Sequence, residues 1–237
     1  MALADKHGLI VIEDAAQAMH AAWKGRPLGG FGSFAAFSFH ETKNLICGEG
    51  GALVVNDPEA AARAEIIWEK GTNRAQFQRG EVAKYTWVDV GSSYLPSELT
   101  AAFLYGQLQA GNDITRSRLA AWDRYHLALE PLERKGVLRC PNVPEGCTHN
   151  GHIYYVLAPT AGARDHALAS LAAHGVQAVM HYVPLHSSPA GLRYARTNGP
   201  LPMTDDIAAR LIRLPLHTLI DADTQARVVE ALESVLS

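Results

Sequence analysis

The sequence has little cysteine, no long apolar run and no block of like charge, and each absence removes a class of protein. Its three cysteines, Cys47, Cys140 and Cys147, are odd in number and form no CxxC pair. That pattern excludes a disulfide framework and a cysteine zinc site and suits a reducing compartment. No apolar stretch reaches the ~18 residues of a membrane span. The opening "MALADKHG" lacks the basic start and apolar middle of a signal peptide, so the cytoplasm is the expected compartment and no membrane partner is expected. The formal net charge is −3, with no basic block, which leaves a nucleic-acid partner without electrostatic support. There is no Walker loop, no GxGxxG between a strand and a helix, and no GxSxG elbow.

What is present is a soluble, globular composition. The 237 residues are 48% hydrophobic and 19% charged, enough for one or two domains with a sizeable core. "ALADKH" reads as the end of a helix stopped by Gly8. The apolar run at 9–15, "LIVIEDA", predicts a strand buried on both faces, as in parallel sheets. Strands are also predicted at 33–39 and 51–56. A helix follows over 57–70, capped by Asp57 with Pro58 in its first turn. The alternation of strands and helices indicates an α/β fold. Residues 71–95 are polar, aromatic and weakly periodic, and a loop of this length usually has a function. A helical pattern covers 96–129, with "QAGNDITR" as a point of interruption. A second unit begins near 150 with a strand, followed by a helix stopped at Gly175, and the chain ends in a helix over 223–236.

Chemistry centres on two residues. Asp14 ends the first strand, and ligands of open α/β sheets bind beyond the carboxyl ends of strands. It either meets a cationic group there or caps a helix that follows the strand. Glu13, on the opposite strand face, is the weaker candidate. Lys43 in "FSFHETKN" follows the second strand. It is either a solvated loop lysine or, if desolvated, an amine able to attack a carbonyl and form a Schiff base. "GEGG" behind it supplies tight turns. The pairs His149/His152 and His181/His186 lack the spacing of helical metal ligands, and Pro184 breaks any helix between the second pair. No metal is expected.

The stretches "VIEDAAQA", "GSFAAFSFHETKNLICGEGGALVVND", "GSSYLPSELTAAFLYGQL" and "HYVPLHSSPAG", in this order, resemble the DegT/DnrJ/StrS family of pyridoxal-phosphate-dependent sugar aminotransferases. The resemblance implies an α/β type I transferase fold, aspartate-aminotransferase-like. Residues 1–112 would be the remaining part of the cofactor-binding large domain, and residues 113–237 the small α+β C-terminal domain. It also implies roles. Lys43 matches the catalytic lysine that holds pyridoxal 5'-phosphate covalently, Asp14 the carboxylate on the pyridine nitrogen, Gln17 a glutamine beside the ring, and Ser38 a serine on the phosphate. His40, Tyr85, His181, Tyr182 and His186 fall in segments near the sugar.

Within the family, "FSFHETKN" with "KYTW" and "GSSYL" most resembles the branch serving enterobacterial common antigen. That branch moves an amino group from glutamate to the C4 ketone of a TDP-4-keto-6-deoxyhexose. Alternatives are amination at C3 or of a UDP- or GDP-sugar, and a truncated, non-catalytic remnant. The dehydratase branch carries histidine in place of the lysine, against which Lys43 argues. The "GSSYL" loop resembles a segment that reaches across a homodimer into the neighbour's site, although many relatives have asparagine and arginine where Ser93 and Leu95 stand here. The family's chains carry further protein before the equivalent of Ala2, so the expectation is an N-terminally truncated chain.

Overall fold

The computed structural model describes residues 1–236. They form two compact units, Met1–Ile114 with Glu145–Asn150, and Thr115–Pro144 with the chain from Gly151 onward.

The first unit opens with α1 (Ala2–His7), stopped by Gly8 in the left-handed conformation at φ 61°. There follow β1 (Ile12–Asp14), a small hairpin of β2 (Ala22–Trp23) and β3 (Arg26–Pro27), then β4 (Phe34–Ser38) and β5 (Gly51–Val55). β1, β4 and β5 make one sheet in that order. β1 runs parallel to β4, with Asp14 opposite Ala36. β5 runs antiparallel to β4, with Ser38 opposite Gly51, so the sheet is mixed. Ile12 and Leu53 on one face are 69% and 60% exposed. The apolar run at 9–15 is therefore not buried on both faces as expected. The pleat turns Glu13 and Ala35 inward and leaves Ile12, Asp14 and Ala36 on the open side.

α2 (Pro58–Trp68) follows β5, and Asp57 caps it by accepting from the Glu59 N–H at 3.0 Å. The long loop contains one short helix, α3 (Arg74–Gln78). Its remainder is ordered by backbone rather than by a core. Gly71, at φ 77°, accepts from both the Val88 and Asp89 amides. Asn73 clamps the far arm, donating to the Lys84 carbonyl and accepting from the Thr86 N–H at 2.8 Å. The helical pattern at 96–129 is two helices, α4 (Glu98–Gln109) and α5 (Gly111–Arg134). The break falls at Ala110, inside the expected interruption. A Cβ on Gly111 would lie 2.9 Å from the His20 ring.

The chain returns to the first unit through β6 (Cys147–Thr148), which pairs with β2. The second unit packs α5 beyond Thr115, β7 (Tyr154–Leu157), α6 (Ala161–Ala173), the short helices α7 (Pro189–Tyr194) and α8 (Pro202–Arg210), β8 (Leu211–Leu214) and α9 (Ala222–Leu236). Its core joins Tyr125, Leu129, Tyr154, Leu171, Ile212 and Leu232, all buried. β7 and β8 are antiparallel. Arg118 is buried in this unit, donating to the Gly151 and His152 carbonyls, and burial pulls its guanidinium down to about 10. No described helix is long and apolar enough to cross a membrane. Among the described residues no group of three His, Cys, Asp or Glu is placed to hold a metal.

Candidate active site

Because β1 and β4 are parallel neighbours, their carboxyl ends lie at the same edge of the sheet, and the segments leaving them start side by side. Asp14 ends β1 on the exposed face. Its Oδ1 accepts from the Ala16 N–H at 3.1 Å, but a turn follows rather than a helix, so the expected helix cap is not formed; the carboxylate also faces outward. Gln17 is exposed in the turn that follows, and its backbone carbonyl accepts from Asn150. Ser38 ends β4 on the same face as Ala36, and its hydroxyl accepts from the His40 N–H at 3.3 Å.

The segment from Phe39 to Gly50 folds back on itself. Phe39 donates to the Gly50 carbonyl, Glu41 to Gly48, and Cys47 to Phe39. Lys43 sits in this loop, half-buried, its N–H donating to the His40 carbonyl at 2.9 Å. The next two residues, Asn44 and Leu45, are buried, so the loop is anchored directly behind the lysine. The Thr42 N–H donates to His40 Nδ1. A backbone amide can only donate, so Nδ1 is the acceptor and the neutral ring carries its proton on Nε2. That nitrogen faces Glu49 at 3.6 Å.

The two segments are tied together. Asn44 Nδ2 donates to the Asn150 carbonyl at 2.9 Å, and Asn150 Nδ2 donates to the Gln17 and Met19 carbonyls at 2.7 and 2.8 Å. The Lys43 loop and the turn leaving Asp14 are thus joined through one buried asparagine. Sequence reasoning missed this. In "HNGH" the histidines are the residues that resemble metal ligands, and the only local sign of the tie is an asparagine directly before a glycine.

Glu13 is the anchor of β1. Its carboxylate accepts from the Gly29, Phe31 and Gly32 amides at 2.8, 2.6 and 2.8 Å. Burial pushes its carboxyl up, but the donors from Gly32, Gly29 and Phe31, with Arg26 nearby, outweigh it and hold the group below its ordinary value of 4.5. Its pKa falls on folding, so its stabilising contribution is complete above the unfolded value and is lost as pH drops through the lower, folded one. Glu13→Gln is expected to cost about 1–3 kcal/mol near neutrality, because an amide N–H₂ then meets backbone donors. The difference from wild type should shrink as pH falls from neutrality through and below the ordinary glutamate value of 4.5. Urea midpoints measured across that range check both.

The remaining candidates are placed as follows. Tyr85 is exposed, between the two residues clamped by Asn73. In the second unit, the His181 and Tyr182 rings lie 4.7 Å apart. His181 Nδ1 is buried with no hydrogen-bond partner among the described residues, and burial, with Arg213 nearby, pushes the imidazole below its ordinary value. His186 Nε2 lies 3.1 Å from an Asp205 carboxylate oxygen.

The mixed α/β fold is that of the type I transferases that use pyridoxal phosphate, the fold of its structural relatives. The sequence pattern of the DegT/DnrJ/EryC1/StrS aminotransferase family matches residues 1–233, and the chain belongs to that family. Its members are pyridoxal-phosphate-dependent aminotransferases. The chain is 32% identical over 234 residues to dTDP-3-amino-3,4,6-trideoxy-alpha-D-glucose transaminase of Streptomyces venezuelae, spanning 97% of this chain and 57% of the relative. It is 31% identical over 228 residues to dTDP-4-dehydro-2,3,6-trideoxy-D-glucose 4-aminotransferase of Saccharopolyspora spinosa, spanning 94% and 57%. A crystal structure of a family aminotransferase from Brucella abortus superposes with a TM-score of 0.84 at 30% identity, over 98% of this chain and 59% of that one. The chain therefore spans less than two thirds of the length of the relatives it matches.

Proposed function

We propose that this chain carries the lysine-bearing part of a nucleotide-sugar aminotransferase. On this reading it serves the transfer of an amino group from glutamate to the C4 ketone of a TDP-4-keto-6-deoxyhexose, giving TDP-4-amino-4,6-dideoxygalactose. The observation that carries the reading is the junction of the Lys43 loop with the turn leaving Asp14. The donor set suits pyridoxal phosphate: an amine for its aldehyde, a carboxylate for its ring nitrogen, and a hydroxyl for its phosphate. When bound, that cofactor would supply an electron sink at the amino-bearing carbon.

The chain's own residues do the rest. Asp14 would keep the ring nitrogen protonated, Gln17 would flank the ring, and Ser38 would donate to the phosphate. Lys43 would hold the cofactor and, once released, would be the base that moves the proton at the reacting carbon. Residues 1–112 act as part of the large domain and 113–237 as the small domain. His40, Tyr85, His181, Tyr182 and His186 are the sugar-side candidates. The working form is a cytoplasmic homodimer, a role that suits the exposed Leu99 and Phe103 of α4 and Trp87 of the long loop.

The C4 position rests on the motif resemblance and is consistent with the 4-aminotransferase named among the relatives. The other relative's name places its amino group at C3. A panel of 3-keto and 4-keto sugars on TDP, UDP and GDP, incubated with glutamate, separates these. The amino sugar, measured by mass spectrometry, should form at least about tenfold faster from TDP-4-keto-6-deoxyglucose, the discrimination of roughly 1.4 kcal/mol that one well-placed polar contact supplies. A preference for a 3-keto sugar would overturn the C4 assignment.

A further inference from the structure

We infer that Asn150 is a positioning residue for Lys43, holding the lysine loop against the turn that carries Asp14 and Gln17; the inference rests on the roles proposed above for those residues. Asn150 and Asn44 are 5% and 9% exposed. Both hydrogens of the Asn150 amide have acceptors, the Gln17 and Met19 carbonyls, which also fixes the amide's orientation. A flipped amide would set its oxygen against two carbonyl oxygens. The Asn150 main-chain carbonyl takes the Asn44 amide from the other side.

One residue therefore faces two functional segments, with its side chain on one and its backbone on the other. Gly111 supports the same junction independently. A Cβ there would lie 2.9 Å from the His20 ring and 3.4 Å from the Leu45 side chain, one from each segment. Lys43 and Asp14 are thus kept in fixed relation by a residue more than a hundred positions away in sequence.

Asn150→Asp keeps the shape and replaces the donor with an oxygen facing both carbonyls. Asn44→Ser cuts the same tie from the lysine side and serves if the first variant fails to fold. Asn73→Asp, which breaks a buried clamp in a different loop, is the control. Hydrogen exchange by mass spectrometry on the full chain without cofactor is expected to show residues 15–21 and 40–47 exchanging about tenfold faster in either tie variant. Residues 154–157 and 211–214 should be unchanged, and Asn73→Asp should quicken only the 71–95 loop.

The second readout is reductive labelling with pyridoxal phosphate and cyanoborohydride, mapped by peptide. Labelling at Lys43 relative to exposed Lys135 should fall about tenfold in the tie variants. Asn73→Asp should leave that ratio as in wild type, which separates loss of the tie from loosening elsewhere. Unchanged exchange at 40–47 in both tie variants overturns the inference. Wild-type protein that does not label selectively at Lys43 overturns the proposed role of the lysine instead, and the exchange result still decides whether Asn150 ties the two segments.

Discussion

Lys43→Ala is expected to abolish amino transfer, lowering the rate by on the order of 10²–10⁴-fold from loss of the proton-moving base alone, and to remove covalent attachment of pyridoxal phosphate. The reason is local. Lys43 is half-buried in a loop closed by three backbone hydrogen bonds, and the two residues behind it are buried. A lysine held this way loses little further freedom when its amine engages a carbonyl, unlike one on a mobile surface loop. Amino-sugar formation from the keto-sugar and glutamate measures the rate. Borohydride reduction followed by peptide mapping measures attachment. Lys135→Ala, at an exposed position beyond α5, should change neither. A Lys43→Ala protein that still turns over at a rate within tenfold of wild type would remove the lysine from the mechanism.

Gly71→Ala is expected to have the largest effect on stability. At φ 77° an alanine is strained, and its Cβ would lie 1.7 Å from the Asp89 carbonyl oxygen, which is backbone and cannot swing aside. Gly91 faces Gly71 closely enough that a Cβ there would fall 2.1 Å from the Gly71 nitrogen, so the two arms of the loop meet at a pair of glycines. Left-handed strain and overpacking together predict a loss of about 2–4 kcal/mol. Gly80→Ala separates the two causes. Gly80 has a similar φ of 76° with nothing within 4 Å of a Cβ, and its cost should be about 1–2 kcal/mol. Urea unfolding gives the magnitudes. Trypsin gives the location, since Arg74, Arg79 and Lys84 lie in the loop and should be cut faster in Gly71→Ala than in Gly80→Ala.

Much of the fold could be read in the sequence because its signals are local. Gly8, Asp57, Pro58 and Gly175 mark helix ends at the expected places, and β4, β5 and β7 fall within the expected strands. β2, β3 and β6 escaped because two-residue strands have no periodicity to detect, and β6 pairs with a strand 125 positions earlier. β8 escaped because "LIRL" is too short to tell from the end of the helix before it. The 9–15 run reads as a doubly buried strand and is not one, because an apolar sequence does not reveal whether both faces of its strand are covered. In the site, Asp14 and Lys43 stand out through residue type and position relative to strands, and Ser38 through the family resemblance. Asn44 and Asn150 do not, because a buried amide tie depends on which carbonyls the fold brings to it.

The adjacent carboxylates of β1 make the strand's alignment testable by its own chemistry. Glu13 enters a ring of backbone donors while Asp14, one residue on, faces out at the sheet's edge. A slip of one residue would exchange them, bringing the shorter aspartate to the donors and swinging the longer glutamate outward. The two acids, chemically near-equivalent in the sequence, thus work as a key that fits in one orientation: seating Glu13 in its donors also decides on which face the carboxylate proposed to meet the cofactor stands.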